Sequence, residues 1–276
     1  MQKLLVLQSL WAMQGLNDGP AERPLEDNVA RIKAAGFDGF GVLWHDDAIA
    51  GRAAELAAAE GLTLEGLAVP QSLAEIEKAL ERAARFPVHH LNLQLKILPR
   101  TVAEASRVIA SVQQLLAQAS VPVYIETHRG RLTNDLFFML EILERHPDLK
   151  LLADLSHYIV AREMELPVDE VTDRQMSVIL DHSWAFHGRV AGSNQVQLPL
   201  GFAQHRGWVD QFVTWWSAGF ASWSRRAPAD GELTFVCELG PQPYAISGPD
   251  GRDLTDRWAE SLLLADLARR AWQQAR

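Results

Sequence analysis

PVYIETH (Pro122–His128), LKLLADLSH (Leu149–His157), WAFHGRV (Trp184–Val190) and LTFVCELG (Leu233–Gly240) are four apolar, strand-like runs. Each carries one acid or imidazole at or near its end: Glu126, Asp154, His187 and Glu238. A parallel barrel gathers the C-terminal ends of its strands at one mouth, so residues in these positions converge there. Strand side chains alternate in direction, and parity tests whether the four can all face inward. Tyr124, Glu126 and His128 share a face, as do Ala185, His187 and Arg189, and Thr234, Val236 and Glu238. Asp154 pairs with Leu152. One inward phase per strand therefore brings all four to the mouth and sends Cys237 to the helix-facing side.

Outward from these runs, strand-like and helix-like segments alternate along the whole chain. A first strand near Leu4–Leu10 precedes the helix PLEDNVARIKAAG, with Pro24 early and Gly36 at its stop. GFGVLW, TLEGLAV and HHLNLQLK read as strands two to four, separated by DDAIAGRAAELAAAEG and SLAEIEKALERAARF. The helix TVAEASRVIASVQQLLAQA leads into strand five, and NDLFFMLEILERHP, with Asn134 as its expected N-cap, leads into strand six. A helix near Asp173–Leu180 and another over Trp208–Trp223 flank strand seven, and DLTDRWAESLLLADLARRAWQQ closes the chain. Eight β/α pairs without a low-complexity linker predict one domain over residues 1–276, a closed parallel (β/α)8 barrel. A doubly wound open sheet is the alternative, but no GxGxxG or GxxxxGK[ST] loop marks a nucleotide site.

The length of 276 residues suits such a barrel, and 48% hydrophobic residues supply a large core. A net charge of −9 disfavours nucleic acid, whose phosphates call for a basic surface. The apolar start, MQKLLVLQSLWAM, is interrupted by Gln8 and Ser9 and reads as a strand rather than a signal peptide. No run has transmembrane length. The single Cys237 fits a reducing compartment, and the expected location is the cytoplasm. Cys237 itself reads as a small buried apolar residue. Trp208, Phe212, Trp215, Trp216, Phe220 and Trp223 fall near helical spacing and read as an outer helix packed on the barrel. Trp216 is an extra aromatic that leaves a homo-oligomer interface open.

A lone acid at a strand end is usually a helix cap or ion-pair partner, and a lone histidine usually a satisfied core residue. Four on consecutive strands in apolar surroundings reverse that judgement, because buried carboxylates need compensation and a divalent cation supplies it. Three oxygen donors with one nitrogen suit Mn2+, Mg2+, Co2+ or Zn2+. His182, in LDHSW at the barrel bottom, ranks below His187 as the donor from strand seven. Asn92, Gln94 and Lys96 share a face of strand four, and Gln197 follows strand seven; all could bond a polyhydroxy substrate or cap loops. His128, Arg129 and Arg131 make a basic loop suited to a phosphate or carboxylate, or to surface pairing.

ETHRGR (Glu126–Arg131), ADLSH (Ala153–His157), HGRV (His187–Val190) and ELGPQPY (Glu238–Tyr244) resemble the motifs of the xylose isomerase-like TIM barrels, the sugar phosphate isomerase/epimerase superfamily. The resemblance implies one metal ion held by Glu126, Asp154, His187 and Glu238. It implies that Glu126 and Glu238 also exchange protons with substrate carbon, and that His157, of an Asp-x-x-His element, binds a substrate hydroxyl. Arg189 stands where the family places a substrate-binding arginine, though only two residues after His187. The activity implied is a metal-dependent isomerisation or epimerisation of a small sugar-like ketose or aldose through an enediolate. The competing readings are a metal- or sugar-binding barrel without turnover, an enediolate-forming lyase or dehydratase, and an AP endonuclease-like hydrolase. The last uses a three-zinc cluster with histidines from earlier strands and an Asp-x-His pair after strand seven. Strands two and three here have no internal histidine, and residues 193–204 contain no Asp-x-His.

Overall fold

The computed structural model describes residues 1–16 and 22–276. Eight parallel strands close on themselves in sequence order: β1 (Lys3–Ser9), β2 (Gly39–Leu43), β3 (Thr63–Ala68), β4 (His90–Leu93), β5 (Val123–Glu126), β6 (Leu151–Ala153), β7 (Ser183–Gly188) and β8 (Glu232–Cys237). The seam is long: β8 pairs with β1 from Lys3↔Glu232 to Gln8↔Cys237. The expected (β/α)8 barrel is therefore the architecture.

Helices α1 (Leu25–Ala34), α2 (Asp47–Glu60), α3 (Leu73–Arg85), α4 (Val102–Leu116) and α5 (Leu136–Arg145) follow the first five strands. A short α6 (Ser156–Ala161), not foreseen in the sequence, precedes α7 (Glu170–Asp181) between β6 and β7. The long α8 (Arg206–Arg226) and α9 (Arg257–Gln274) complete the ring. Asp46, Ser72, Thr101, Asp135, Asp169 and Asp256 each accept a backbone N–H with the side chain at a helix start. Such caps satisfy donors that the first helical turn leaves without partners. The cap of α5 is Asp135 rather than Asn134, whose Oδ1 instead accepts from Gly130 N at 2.6 Å.

The core lies between strands and helices. Phe212, Trp215, Trp216, Phe220 and Trp223 of α8 are buried, with Trp216 edge-on to Phe235 and Phe220 edge-on to Phe186. The helix-packing reading of this aromatic stripe holds. Trp216 itself is fully buried within this packing. Gly188 makes the β7–β8 contact feasible: a Cβ there would stand 2.1 Å from the Phe235 ring. Cys237 is fully buried, and burial pushes its thiol pKa far up, as expected of an inert core residue.

At the mouth, Arg257 opens α9 and is 2% exposed. It donates to the carbonyls of Ala12 (2.7 Å), Gln14 (2.6 Å) and Leu239 (3.3 Å) and pairs with Asp253. It thereby ties the loop after β1 to the loop after β8. Among the described residues, no helix is long and apolar enough to cross a membrane.

Candidate metal centre and active site

Glu126 is the last residue of β5, Asp154 follows β6, His187 lies one residue from the end of β7, and Glu238 follows β8. All four are at most 5% exposed and gather inside the mouth. Donor atoms of Glu126, His187 and Glu238 lie within 4.8 Å of one another. His187 Nδ1 is 3.7 Å from Glu126 Oε2 and 3.4 Å from Glu238 Oε2, yet has no hydrogen-bond partner. Asp154 stands to one side. Its Oδ1 accepts from Ser156 N and Oγ, while its Oδ2 is unpartnered, 3.3 Å from His157 Nε2 and 3.5 Å from Arg189 Nη2.

Arg189 is a second cation at the site. Its guanidinium pairs with Glu238 through Nη2, and its Nε donates to the Glu238 carbonyl at 2.9 Å. The rings of Tyr244 and Trp11 lie 4.8 Å and 5.7 Å from its guanidinium carbon. Its Nη1 is buried without a partner. The closeness of Arg189 to His187 in sequence thus puts its head between two carboxylates.

Around Glu126, Asn92 Nδ2 donates to Oε2 at 2.5 Å and Gln94 Nε2 to both oxygens at 3.0 Å. Gln94 Oε1 in turn accepts from Arg131. Both amides act directly on the carboxylate. His128 Nδ1 donates to Arg129 O at 2.5 Å, which leaves its Nε2 free, and its ring lies 3.8 Å from that of His157. Both nitrogens of His157 are buried without partners. Gln197, which could bond substrate or cap a loop, here bonds the backbone: its Nε2 donates to Gly240 O and its Oε1 accepts from Gly240 N. With both ends of the amide engaged, it braces the loop after β8.

Sequence reasoning missed Glu65. It sits inside β3, is 1% exposed, and reaches across the barrel to His187 Nε2 at 2.8 Å and to His90 Nε2 of β4 at 2.8 Å. Strand alternation places Glu65 with Leu67 and Val69, and His90 with Asn92 and Gln94, so parity alone carried the signal. Also missed were Trp11 and Tyr244, which meet edge-on at 5.1 Å and wall the cavity above the acids. That cavity of about 220 Å³ is also lined by Leu67, Gln94, His128 and Arg131.

The acids are driven apart in basicity. Burial raises the Glu126 pKa, His187 opposes it, and the negative charges of Glu238 and Asp154 add to the rise, so it reaches about 8. Burial acts likewise on Glu238, but His187 and Arg189 overcome it and hold this carboxyl below its ordinary value. Asp154 is raised, by burial first, despite Arg189. Burial opposes charge on His187, yet Glu65, Glu238 and Glu126 together hold its pKa well above the histidine value. Glu65 is kept ionised, down to about 2, because His187 and His90 outweigh its burial.

The donor set fits a divalent cation. Two buried donor atoms, His187 Nδ1 and Asp154 Oδ2, have no partner, and the three buried carboxylates of Glu126, Asp154 and Glu238 share the Arg189 guanidinium and the His187 imidazole as charged neighbours. Residues 29–212 match the model of a protein family, the xylose isomerase-like TIM barrel. The chain belongs to that family. Among solved structures it is similar to a sugar phosphate isomerase/epimerase from Parabacteroides distasonis, at 14% identity and a TM-score of 0.60, over 96% of each chain. It is similar to a probable 3-DHS dehydratase involved in petrobactin synthesis from Bacillus anthracis, at 12% identity and a TM-score of 0.56, over 98% of this chain and 99% of that one. A family 2 AP endonuclease from Brucella melitensis aligns at 14% identity and a TM-score of 0.52, over 88% of this chain and 94% of that one. At such identities these likenesses establish the shared barrel. No curated protein sequence matches the chain.

Proposed function

We propose that the protein is a metal-dependent isomerase or epimerase that moves a proton beside the carbonyl of a small polyhydroxy carbonyl compound. One observation carries the reading. Two carboxyls flank His187, which with Glu238 lines the cavity, and their surroundings push their pKa values in opposite directions, Glu126 to about 8 and Glu238 downward. In the metal-free site such a split marks the two as unlike partners for proton transfer. With the ion in place both carboxyls are ionised, and one of them removes a proton from substrate carbon while the other face is served by its partner for the return. Asn92 and Gln94 hold the Glu126 carboxyl in place. His157 and the free Nη1 of Arg189 offer donors to substrate oxygens, and Trp11 and Tyr244 exclude water above them.

Glu126, His187 and Glu238, with Asp154 through its unpartnered Oδ2, are the residues that would hold the ion. A divalent cation there supplies Lewis-acid stabilisation of the charge that develops on the enediolate oxygens. Return of the proton to the same carbon from the opposite face gives epimerisation, and return to the neighbouring carbon gives aldose–ketose isomerisation. The small size of the cavity, about 220 Å³, and the net charge of −9 favour a small-molecule substrate over nucleic acid. A sole, buried thiol accords with work in the cytoplasm.

The test is proton exchange. Protein loaded with Mn2+, Mg2+, Co2+ or Zn2+ is incubated in D2O with a panel of ketoses and keto acids, and NMR follows deuterium and products. Deuterium should enter the carbon next to the carbonyl. Glu126→Gln and Glu238→Gln should each lower the rate by roughly 100-fold or more while the barrel stays folded. Absence of exchange across the panel refutes the reading, and loss of water from substrate would move it to a dehydratase.

A further inference from the structure

The side chain of Glu65 joins opposite walls of the barrel. It starts on β3 and its two oxygens take one imidazole each: Oε1 that of His187 on β7, and Oε2 that of His90 on β4, both through Nε2 at 2.8 Å. Space for this crossing exists because residue 41 on β2 is glycine; a Cβ there would come within 3.2 Å of Glu65 Oε1. An ionised carboxylate only accepts hydrogen bonds, so each Nε2 facing it must carry the proton. The far nitrogen of His90, Nδ1, lies 3.0 Å from His89 Nδ1, and the His90 ring packs at 5.2 Å on Tyr124. His90 is thus held from behind and holds Glu65 in turn.

For His187 the outcome is a ring with one degree of freedom removed. With Nε2–H donated to Glu65, Nδ1 is the nitrogen left to face Glu126 and Glu238, and it is the atom without a partner. We propose that Glu65 is a positioning residue, which, anchored by His90, orients the His187 ring and commits Nδ1 to the cluster of acids. The proposal adds to the functional reading above and rests on it only where Nδ1 is taken as a metal ligand. A carboxylate behind a ligating histidine both orients the ring and strengthens the nitrogen as a donor, and its loss typically weakens metal binding 10–100-fold.

The experiment compares wild type, Glu65→Leu and Glu65→Gln, each checked for folding by circular dichroism. Leucine removes both acceptors; glutamine keeps one oxygen. Proton–nitrogen NMR of 15N-labelled, metal-free protein reads the His187 Nε2–H directly, with assignment from a His90→Gln variant. Zn2+ affinity is measured separately by competition with a chelating dye. Wild type should show a downfield, slowly exchanging Nε2–H. Glu65→Leu should lose it and bind Zn2+ about 10–100-fold more weakly. Glu65→Gln should keep the resonance, shifted upfield, with intermediate affinity. A folded Glu65→Leu that keeps both the resonance and the wild-type affinity overturns the proposal. If Glu65→Leu does not fold, an unchanged resonance and affinity in Glu65→Gln overturn it equally. If wild type takes up no Zn2+, the ligand reading of His187 fails, and the resonance alone decides the role of Glu65.

Discussion

Arg189→Met removes the guanidinium while keeping a long apolar stem, and its effect follows from what the guanidinium touches. Its Nη2 pairs with Glu238 and stands 3.5 Å from Asp154, and its Nε satisfies the Glu238 carbonyl at 2.9 Å. Both acids and the arginine are nearly fully buried. Without the guanidinium, Glu238 keeps only His187 as a neighbouring cation, at 3.4 Å, and Asp154 keeps only its bonds from Ser156. Breaking one side of a buried pair costs about 3–5 kcal/mol. The orphaned carbonyl would add about 1–3 kcal/mol on its own, but the two losses share one side chain and do not sum. At about 2–4 °C per kcal/mol for a chain of this size, the metal-free melting temperature should fall by roughly 6–20 °C. The deficit should be smaller at pH 5 than at pH 8, because acids that have lost their cation take up a proton instead. Added Mn2+ or Zn2+ should restore more stability to the variant than to wild type, since it meets a more negative site. Differential scanning calorimetry after chelator treatment, with and without metal, measures all three. A pH-independent loss below about 1 kcal/mol, typical of a surface ion pair, would refute the assignment of Arg189 as resident counter-charge.

Metal-free protein should also lose stability as pH rises from about 4.5 toward about 8, because folded Glu126 keeps its proton over that range and the unfolded chain does not. The slope from this one group is at most about 1.4 kcal/mol per pH unit, and Glu126→Gln should flatten it in chemical denaturation series. The double variant Asp154→Ala, His187→Ala should retain far less than one equivalent of divalent metal by elemental analysis. A full equivalent would remove these residues from the ligand set.

What could be read from sequence was whatever depends on period and order. Alternation in PVYIETH and WAFHGRV set Glu126 and His187 inward, and eight β/α units implied a closed sheet, because those patterns are local. Interactions across the barrel were not legible in the same way. Glu65 and His187 meet from opposite strands, 122 positions apart, and a glutamate among apolar strand neighbours resembles an ordinary surface alternation until its partner is known. The inward parity of Arg189 was legible, but not that its guanidinium would stand between Asp154 and Glu238, because both partners come from other strands. For Gln197, nothing in its residue type separates a bond to substrate from bonds to the backbone of Gly240. The α5 cap moved by one residue because Asn134 and Asp135 can both fill the role and the turn at Gly130 claimed the first.

The walls of the cavity come from the two sides of the β1–β8 seam, Trp11 beyond β1 and Tyr244 beyond β8, with Arg257 binding the loops together. The acids sit on or just after the neighbouring strands β5 to β8, but the two aromatic walls of the cavity meet only where the last strand joins the first. The shape of the cavity therefore depends on the seam that closes the barrel. Anything that parts β1 from β8 would part Trp11 from Tyr244 as well.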